Sequence, residues 1–400
     1  MKNIVISGPL LSNSGYGVHC RQVFSYLHEN IKDNEKLYCH VTEWGNSSWH
    51  LSNKFTSGLF DKIIDCHVSE STLYNLQYEK CYSVGFPNEW ILIGKKNIGI
   101  TAGIETSVAP NSWLENIKRV NSVIVPSFFA KNTIVKTFSN CHDILNKIKV
   151  VPEYFYEEFL EDSCVKIDLL DKITTTNNLL IIGQLTSLNS ENDRKNTLNA
   201  IEATTRILST IEDSSLILKI NSGNNTQKDF KNIKEILKPV LDNIRKELGN
   251  SAPKVYIIHG NLSPKELKTL YTTKTSALLC LSRGEGFGLT LLEAAACGCP
   301  IIATNYSAYT EFLGDSFIKV DYNLEEIPAS RINDVFVKGS LWANYKARSL
   351  HLAVLNFFNN KDKYSIIAKK LKLNIVSNFN KNSIFKIYKK CLEWATFTSI

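Results

Sequence analysis

No two cysteines in this chain stand at the C-x-x-C spacing, and no His-x(3–5)-His accompanies them. That removes the common zinc patterns, so no metal site is expected. The ten cysteines are scattered and read as reduced thiols of a cytoplasmic protein rather than as a disulfide framework. Cys297 and Cys299 come closest, but they flank Gly298 after an apolar segment, where small buried thiols are ordinary. Long apolar runs are missing too. The opening MKNIVISGPLLSNSG is broken by Ser, Gly, Pro and Asn and is too short for a secretory core. No stretch approaches the roughly 20 apolar residues that span a bilayer. A concentrated basic stripe is also absent. The net charge of +7 over 400 residues is mild, which argues against nucleic acid and fits an anionic small molecule or, at most, a peripheral contact with acidic membrane. The densest basic runs, Lys369 to Lys372 and Lys386 to Lys390, lie in helical patterns and read as solvated faces. No repeat of solenoid length is visible.

What the chain does have is an alternation of short β-rich runs and helical segments, the pattern of α/β doubly wound sheets. Strands are expected at Asn3–Ser7, Leu37–Val41, Lys62–Cys66, Asn97–Thr101, Ser122–Pro126 and Lys147–Val151. A second series follows at Asn178–Gly183, Ser215–Ile220, Val255–His259, Ala277–Leu281, Pro300–Thr304 and Phe317–Val320. Several are continuous apolar runs, as parallel strands covered on both faces require. The acidic stretch Glu157–Asp162 and the turn-like Thr174–Asn178 mark a seam near 160–177. Two Rossmann-like domains are therefore expected, 1–165 and 175–380, with helices at Leu341–Asn359, Asp362–Asn378 and Lys381–Glu393. Ligands of such sheets bind at the carboxyl ends of the strands.

The most informative stretch is SRGEGFGLTLLEAAACGCPIIAT, residues 282–304. A strand, a loop with Gly284, Gly286 and Gly288, and a helix from Leu289 follow one another. Glycine lets an anion approach the backbone, and a helix start offers free N–H groups to it. A plain βα turn is one reading. A dinucleotide fingerprint is another, but the third glycine is misplaced and no acid stands where a ribose-binding one belongs. Two carboxylates eight residues apart, Glu285 and Glu293, also admit a glycosidase pair, although hydrolysis has no use for a phosphate loop.

Glu285-Gly286-Phe287-Gly288 followed by Glu293, with the sequel CGCPIIAT, resembles the E-x(7)-E motif of the retaining glycosyltransferases of family 4. Asp193-Arg194-Lys195-Asn196 after Leu179–Gln184 looks like the family's phosphate-binding lysine after its first nucleotide-domain strand. HGNLSPKELKTLY (259–271), with Leu262, looks like the loop that meets the donor's base. SGYG (14–17), GIETSVAPNSW (103–113) and VIVPSFFAKN (123–132) look like elements of the N-terminal domain. The resemblance runs over roughly residues 1–320. It implies the GT-B architecture, two facing Rossmann-like domains, with the final helix, 381–400, returning to the first.

The resemblance further implies a nucleotide-sugar donor, no cofactor and no metal, and transfer to an acceptor with retention of configuration. Lys195 would stabilise the departing diphosphate, and Glu285 would meet the transferred sugar. Glu293 would take the ribose hydroxyls, which suits a carboxylate because it only accepts. Gly286, Phe287, Gly288, Leu289 and Thr290 would surround the phosphates. Gly15, Tyr16, Gly17, His19 and Glu105 would lie on the acceptor side, and Lys219, at the end of its strand, is a further candidate. One departure is clear: where the family has an arginine, this chain has Gln184. Arg283, in the loop itself, is preferred as the replacement over Arg194, since adjacent helix residues such as Arg194 and Lys195 point about 100° apart. A non-catalytic nucleotide-sugar binder and a transferase acting on modified DNA bases remain as alternatives.

Overall fold

The computed structural model describes residues 1–185, 191 and 193–393. These pack as two units. The first contains Met1–Tyr154, Ile332–Ser340 and the described residues from Phe379 on; the second contains Phe155–Arg331 and Leu341–Asn378. Residues 155–165 thus go with the second unit, where the expected division had them in the first. Phe159 lies 6.4 Å from the Tyr271 ring, and Lys268 donates to the carbonyls of Glu161 and Ser163.

In the first unit the order is β1 (Lys2–Gly8), α1 (Gly15–Glu29), β2 (Glu35–Val41), α2 (Phe60–Cys66), α3 (Glu70–Asn75), β3 (Tyr78–Val84) and β4 (Gly94–Ile100). Then come α4 (Trp113–Arg119), β5 (Ser122–Val125), α5 (Phe128–Thr137), α6 (His142–Leu145) and β6 (Ile148–Val150). The strands form one parallel sheet in the order β2-β1-β3-β4-β5-β6. The chain therefore winds from β1 to one side and returns to the other, leaving a crevice at the carboxyl ends of β1 and β3.

The second unit runs α7 (Asp168–Asp171), β7 (Asn177–Gln184), α8 (Thr197–Leu208), β8 (Ser214–Asn221), α9 (Gln227–Leu248), β9 (Lys254–Ile258), α10 (Pro264–Thr273) and β10 (Ala277–Cys280). It continues with α11 (Leu289–Cys297), β11 (Ile301–Thr304), α12 (Thr310–Leu313), β12 (Ile318–Val320), β13 (Tyr322–Glu326), β14 (Leu341–Tyr345), α13 (Ala347–Asn359) and α14 (Lys361–Asn378). Its parallel sheet is ordered β12-β11-β10-β7-β8-β9, so the same reversal occurs between β7 and β10. The buried faces of β7, β8 and β10 meet α8, α9 and α13 in one apolar core.

Two expectations fail locally, and one strand goes unforeseen. Lys62–Cys66 is helical, part of α2, with Ile63 buried and Ile64 about half exposed. A seven-residue helix with one buried position has no readable period, and its adjacent isoleucines imitate a strand. The strand at that place in the sheet is β3, YEKCYSV, whose charged residues disguised it. The helix expected from Leu341 begins instead at Ala347. Leu341–Tyr345 is strand β14, paired antiparallel with β13.

α15 (Lys381–Glu393) belongs to the first unit and packs on α1. Tyr388 stacks on Tyr26 at 5.0 Å, Phe385 meets Tyr26 edge-on at 5.3 Å, and Lys381 pairs with Glu29 at 2.5 Å. Tyr388 is fully buried. Tyr388→Ala is expected to cost about 3 kcal/mol, the usual loss for a large aromatic core truncation. Urea unfolding of the first unit checks this, and an unchanged midpoint would show that the helix is not docked.

Candidate functional site

The loops that leave β7 and β10 meet at the reversal point of the second sheet. Gly183 is the next-to-last residue of β7, and a Cβ there would lie 2.6 Å from Thr197 Oγ1, so only glycine lets the start of α8 come this close. Asp193 shapes the approach to that helix: its carboxylate accepts from the backbone N–H groups of Lys195 (2.9 Å) and Thr197 (2.6 Å). Asn196 takes a left-handed conformation (φ 55°), and its side chain donates to the Leu281 carbonyl at 3.3 Å. The Asp193–Thr197 loop is thereby fixed against the end of β10.

Beyond β10, Gly288 has φ 99°, and a Cβ there would meet Tyr309 Cβ at 2.8 Å. It opens α11. Leu289 and Thr290 follow, half-buried, and their N–H groups have no partner among the described residues, as at any helix start. Phe287 is buried against Phe312, with ring centroids 5.4 Å apart. Gly298 closes the helix in a left-handed conformation (φ 74°), its N–H bonded to the Ala295 carbonyl.

Two carboxyls flank the glycines and differ sharply. Glu285 is buried, which by itself would push its acid up. Lys195 Nζ at 2.7 Å and Arg194 Nη1 at 3.3 Å from Oε1 more than offset this, and the carboxyl is held at about 2. Its backbone N–H is bonded by Ser307 Oγ at 3.1 Å. Glu293 is also buried, on a helix whose residues Leu291–Cys297 are all buried, and it has no hydrogen bond among the described residues. Burial alone pushes its carboxyl up to about 8. A largely buried acid with no protein partner is placed for ligand hydroxyls or amides that would satisfy it.

The preference for Arg283 does not survive. Its guanidinium is buried, donates to the carbonyls of Glu191 (2.6 Å) and Asp193 (3.3 Å), and lies 4.5 Å from the centre of the Trp342 ring. Arg283 braces the Asp193 loop. Arg194 is the cation beside Lys195, turned there because its Nη1 also donates to the Gly284 carbonyl at 2.6 Å. The 100° argument assumed a helix at a position that is a turn. Gln184 is exposed at the end of β7. Lys219 is buried on β8, bonded to Asn221 Oδ1, with burial lowering it to about 8. It stands with His259, which stacks on Phe230, and not with the Glu285 group. Leu262 is half-buried in the loop after β9.

In the first unit, Ser14 caps α1 by accepting from the Gly17 N–H. A Cβ on Gly17 would lie 2.1 Å from the Ser12 carbonyl oxygen, whereas Gly15 has open space. Tyr16 is buried, with its hydroxyl bonded to Thr101 Oγ1 (2.9 Å) and to the Ala102 N–H (3.1 Å), so it ties this turn to the end of β4. His19 is buried with neither ring nitrogen bonded, and burial pushes it down to about 4; it is a neutral core residue. Glu105 is half-buried in the segment after β4. Among the described residues no group of three His, Cys, Asp or Glu is placed to hold a metal, and no helix is long and apolar enough to cross a membrane. The capping role of Asp193 and the part of Ser307 escaped the sequence reading. An Asp three residues before a helix-start Asn is a readable capping signal; Ser307, 22 residues from its partner, has none.

Residues 184–372 match the family model of glycosyl transferases group 1. That span holds Lys195, Glu285 and Glu293. Solved structures share the whole fold, which is that of the GT-B glycosyltransferases. A glycosyltransferase from Rickettsia africae matches at 14% identity with a TM-score of 0.65, each chain covered in full. Anabaena HepE in complex with UDP matches at 12% and 0.64, over 98% of this chain and 100% of that one. A sucrose-phosphate synthase from Thermosynechococcus elongatus matches at 13% and 0.62, again with full coverage of both chains. No curated protein matches the sequence significantly.

The raised Glu293 carboxyl has a measurable sign. Its folded value lies above its unfolded one, so the folded state holds the proton more tightly. Its contribution to stability is present below about pH 4.5 and is lost as pH rises toward 8. Glu293→Gln is therefore expected to flatten the fall in Tm between pH 5 and 8 without ligand. Parallel pH profiles of the two proteins would refute the unpaired acid.

Proposed function

We propose that the protein transfers a sugar from a nucleotide-sugar donor, held by the second unit, to an acceptor, with retention of configuration and without a metal ion. The observation that carries this is the unpaired, buried Glu293 behind a glycine loop whose other side holds Lys195 and Arg194. A donor has both things this arrangement lacks: hydroxyls for an orphan acceptor and a diphosphate for two cations. The family match over 184–372 supports it, and retention is implied by the resemblance. HepE complexes with UDP and UDP-glucose make a uridine donor the first to test.

The chemistry demands a place for the negative charge that grows on the leaving diphosphate. Lys195 and Arg194 would neutralise it, and the N–H groups of Leu289 and Thr290 would bond its oxygens. In the unliganded protein Glu285 occupies both cations. A diphosphate would draw them away and leave the Glu285 carboxylate to accept from a hydroxyl of the transferred sugar. The departing phosphate oxygen would take the proton of the attacking acceptor on the same face. The opposite shifts of Glu285 and Glu293 imitate an acid and base pair, but a carboxylate clamped by two cations is poorly placed to exchange protons at a glycosidic oxygen.

Lys195→Ala and Arg194→Ala are each expected to lower kcat about 100-fold, the scale of losing one transition-state donor, while Arg283→Ala lowers Tm first. Equal turnover in Lys195→Ala and wild type would overturn its role. EDTA should leave activity intact, and its abolition would overturn the metal-free route. Glu293→Ala should abolish UDP binding by calorimetry, and retained affinity would contradict the ribose contact.

A further inference from the structure

The first unit has its own reversal point, and a cavity of about 460 Å³ lies there, walled by the ends of β1 and β3 and by the segment after β2. That volume falls within the roughly 300–1,000 Å³ of small-molecule sites. Its chemistry is one-sided. Glu43 and Glu89 line it, and no lysine, arginine or histidine does. Its two serine hydroxyls are already engaged: Ser7 with His40 Nδ1 at 2.9 Å, and Ser83 with the backbone N–H (2.9 Å) and carbonyl (3.2 Å) of Ile91. Burial lowers His40, so it brings little positive charge behind Ser7. One Glu89 oxygen accepts from the Phe86 N–H at 3.3 Å; Glu43 is exposed and has no partner among the described residues.

The remaining wall is aromatic. Trp44 is half-buried, stacked on Tyr16 at 4.0 Å and tilted against Phe86 at 5.0 Å. Tyr16 is in turn fixed by Thr101 and Ala102, so the indole is a rigid platform. Carboxylates that only accept select a ligand that donates. An aromatic face beside them suits a ring with an apolar C–H side, and a phosphate here would meet two negative charges with no cation.

We infer that this cavity binds an unphosphorylated saccharide ring, with Trp44 as its stacking platform and the carboxylates of Glu43 and Glu89 as acceptors for its hydroxyls. Its role as the sugar acceptor rests on the transferase proposed above; its binding does not. The same cavity excludes sugar phosphates.

The test is calorimetry or saturation-transfer NMR on the full chain, with glucose, galactose, mannose, N-acetylglucosamine and glucose 6-phosphate as probes and UDP titrated separately. At least one neutral sugar is expected to bind, with glucose 6-phosphate at least tenfold weaker. Trp44→Ala should abolish sugar binding while UDP binding persists, which also reports that the chain is folded. Glu43→Lys, at an exposed position, should shift the preference toward glucose 6-phosphate. Glucose 6-phosphate binding as tightly as the neutral sugars, sugar binding that survives Trp44→Ala, or no neutral sugar bound at all would each overturn the inference. Saccharide binding through Trp44 without any UDP binding would instead sink the transferase and leave this site standing.

Discussion

The ion pair between Lys195 and Glu285 lashes together two loops that the sheet alone does not hold. One leaves β7, the other leaves β10, and they are 90 residues apart in sequence. Around the pair, Arg194 reaches the Gly284 carbonyl, Asn196 reaches the Leu281 carbonyl, and the Arg283 N–H bonds the Arg194 carbonyl. A buried ion pair seldom adds much net stability, because desolvating both charges offsets their attraction. Its value here is positional. It holds two cations at the mouth of the glycine loop against a single carboxylate, which leaves a net positive charge there.

Glu293 poses the complementary problem. A buried carboxyl with no partner opposes folding, and the rest of α11 is arranged so that the cost stays local: alanines and leucines around it, a glycine at each end, and a neutral acid until hydroxyls arrive. Cations waiting on one side and an acceptor waiting on the other describe the two ends of a nucleoside diphosphate. The first unit has a reversal of its own, in a different strand order and with different chemistry. Its reversal point carries carboxylates and an indole where the second carries cations and glycines. The two strand-end crevices thus carry opposite charge.

The second unit was legible in the sequence almost strand by strand, because its parallel strands are buried on both faces and read as apolar runs. The misses in the first unit have particular causes. β3 carries Glu79 and Lys80 in its first turns of register and hid behind them, and α2 was too short to show a period. Glu285, Glu293 and Lys195 were readable as a pattern of loop and helix. The choice between Arg194 and Arg283 was not, because it depends on Asp193 turning the chain before α8 and on Trp342, 59 residues away, offering its ring face. Side-chain direction at a turn is set by such distant partners and leaves no mark on local spacing.

The central claim is that Glu293 waits as a neutral acid for the donor's hydroxyls. Binding should ionise it, since two hydroxyl donors favour the carboxylate. Calorimetric titration of UDP-glucose at pH 7, in buffers of different ionisation enthalpy, measures this directly, because the donor's diphosphate diester carries no proton there. The account predicts release of close to one proton per donor bound. Binding with no proton release would contradict it.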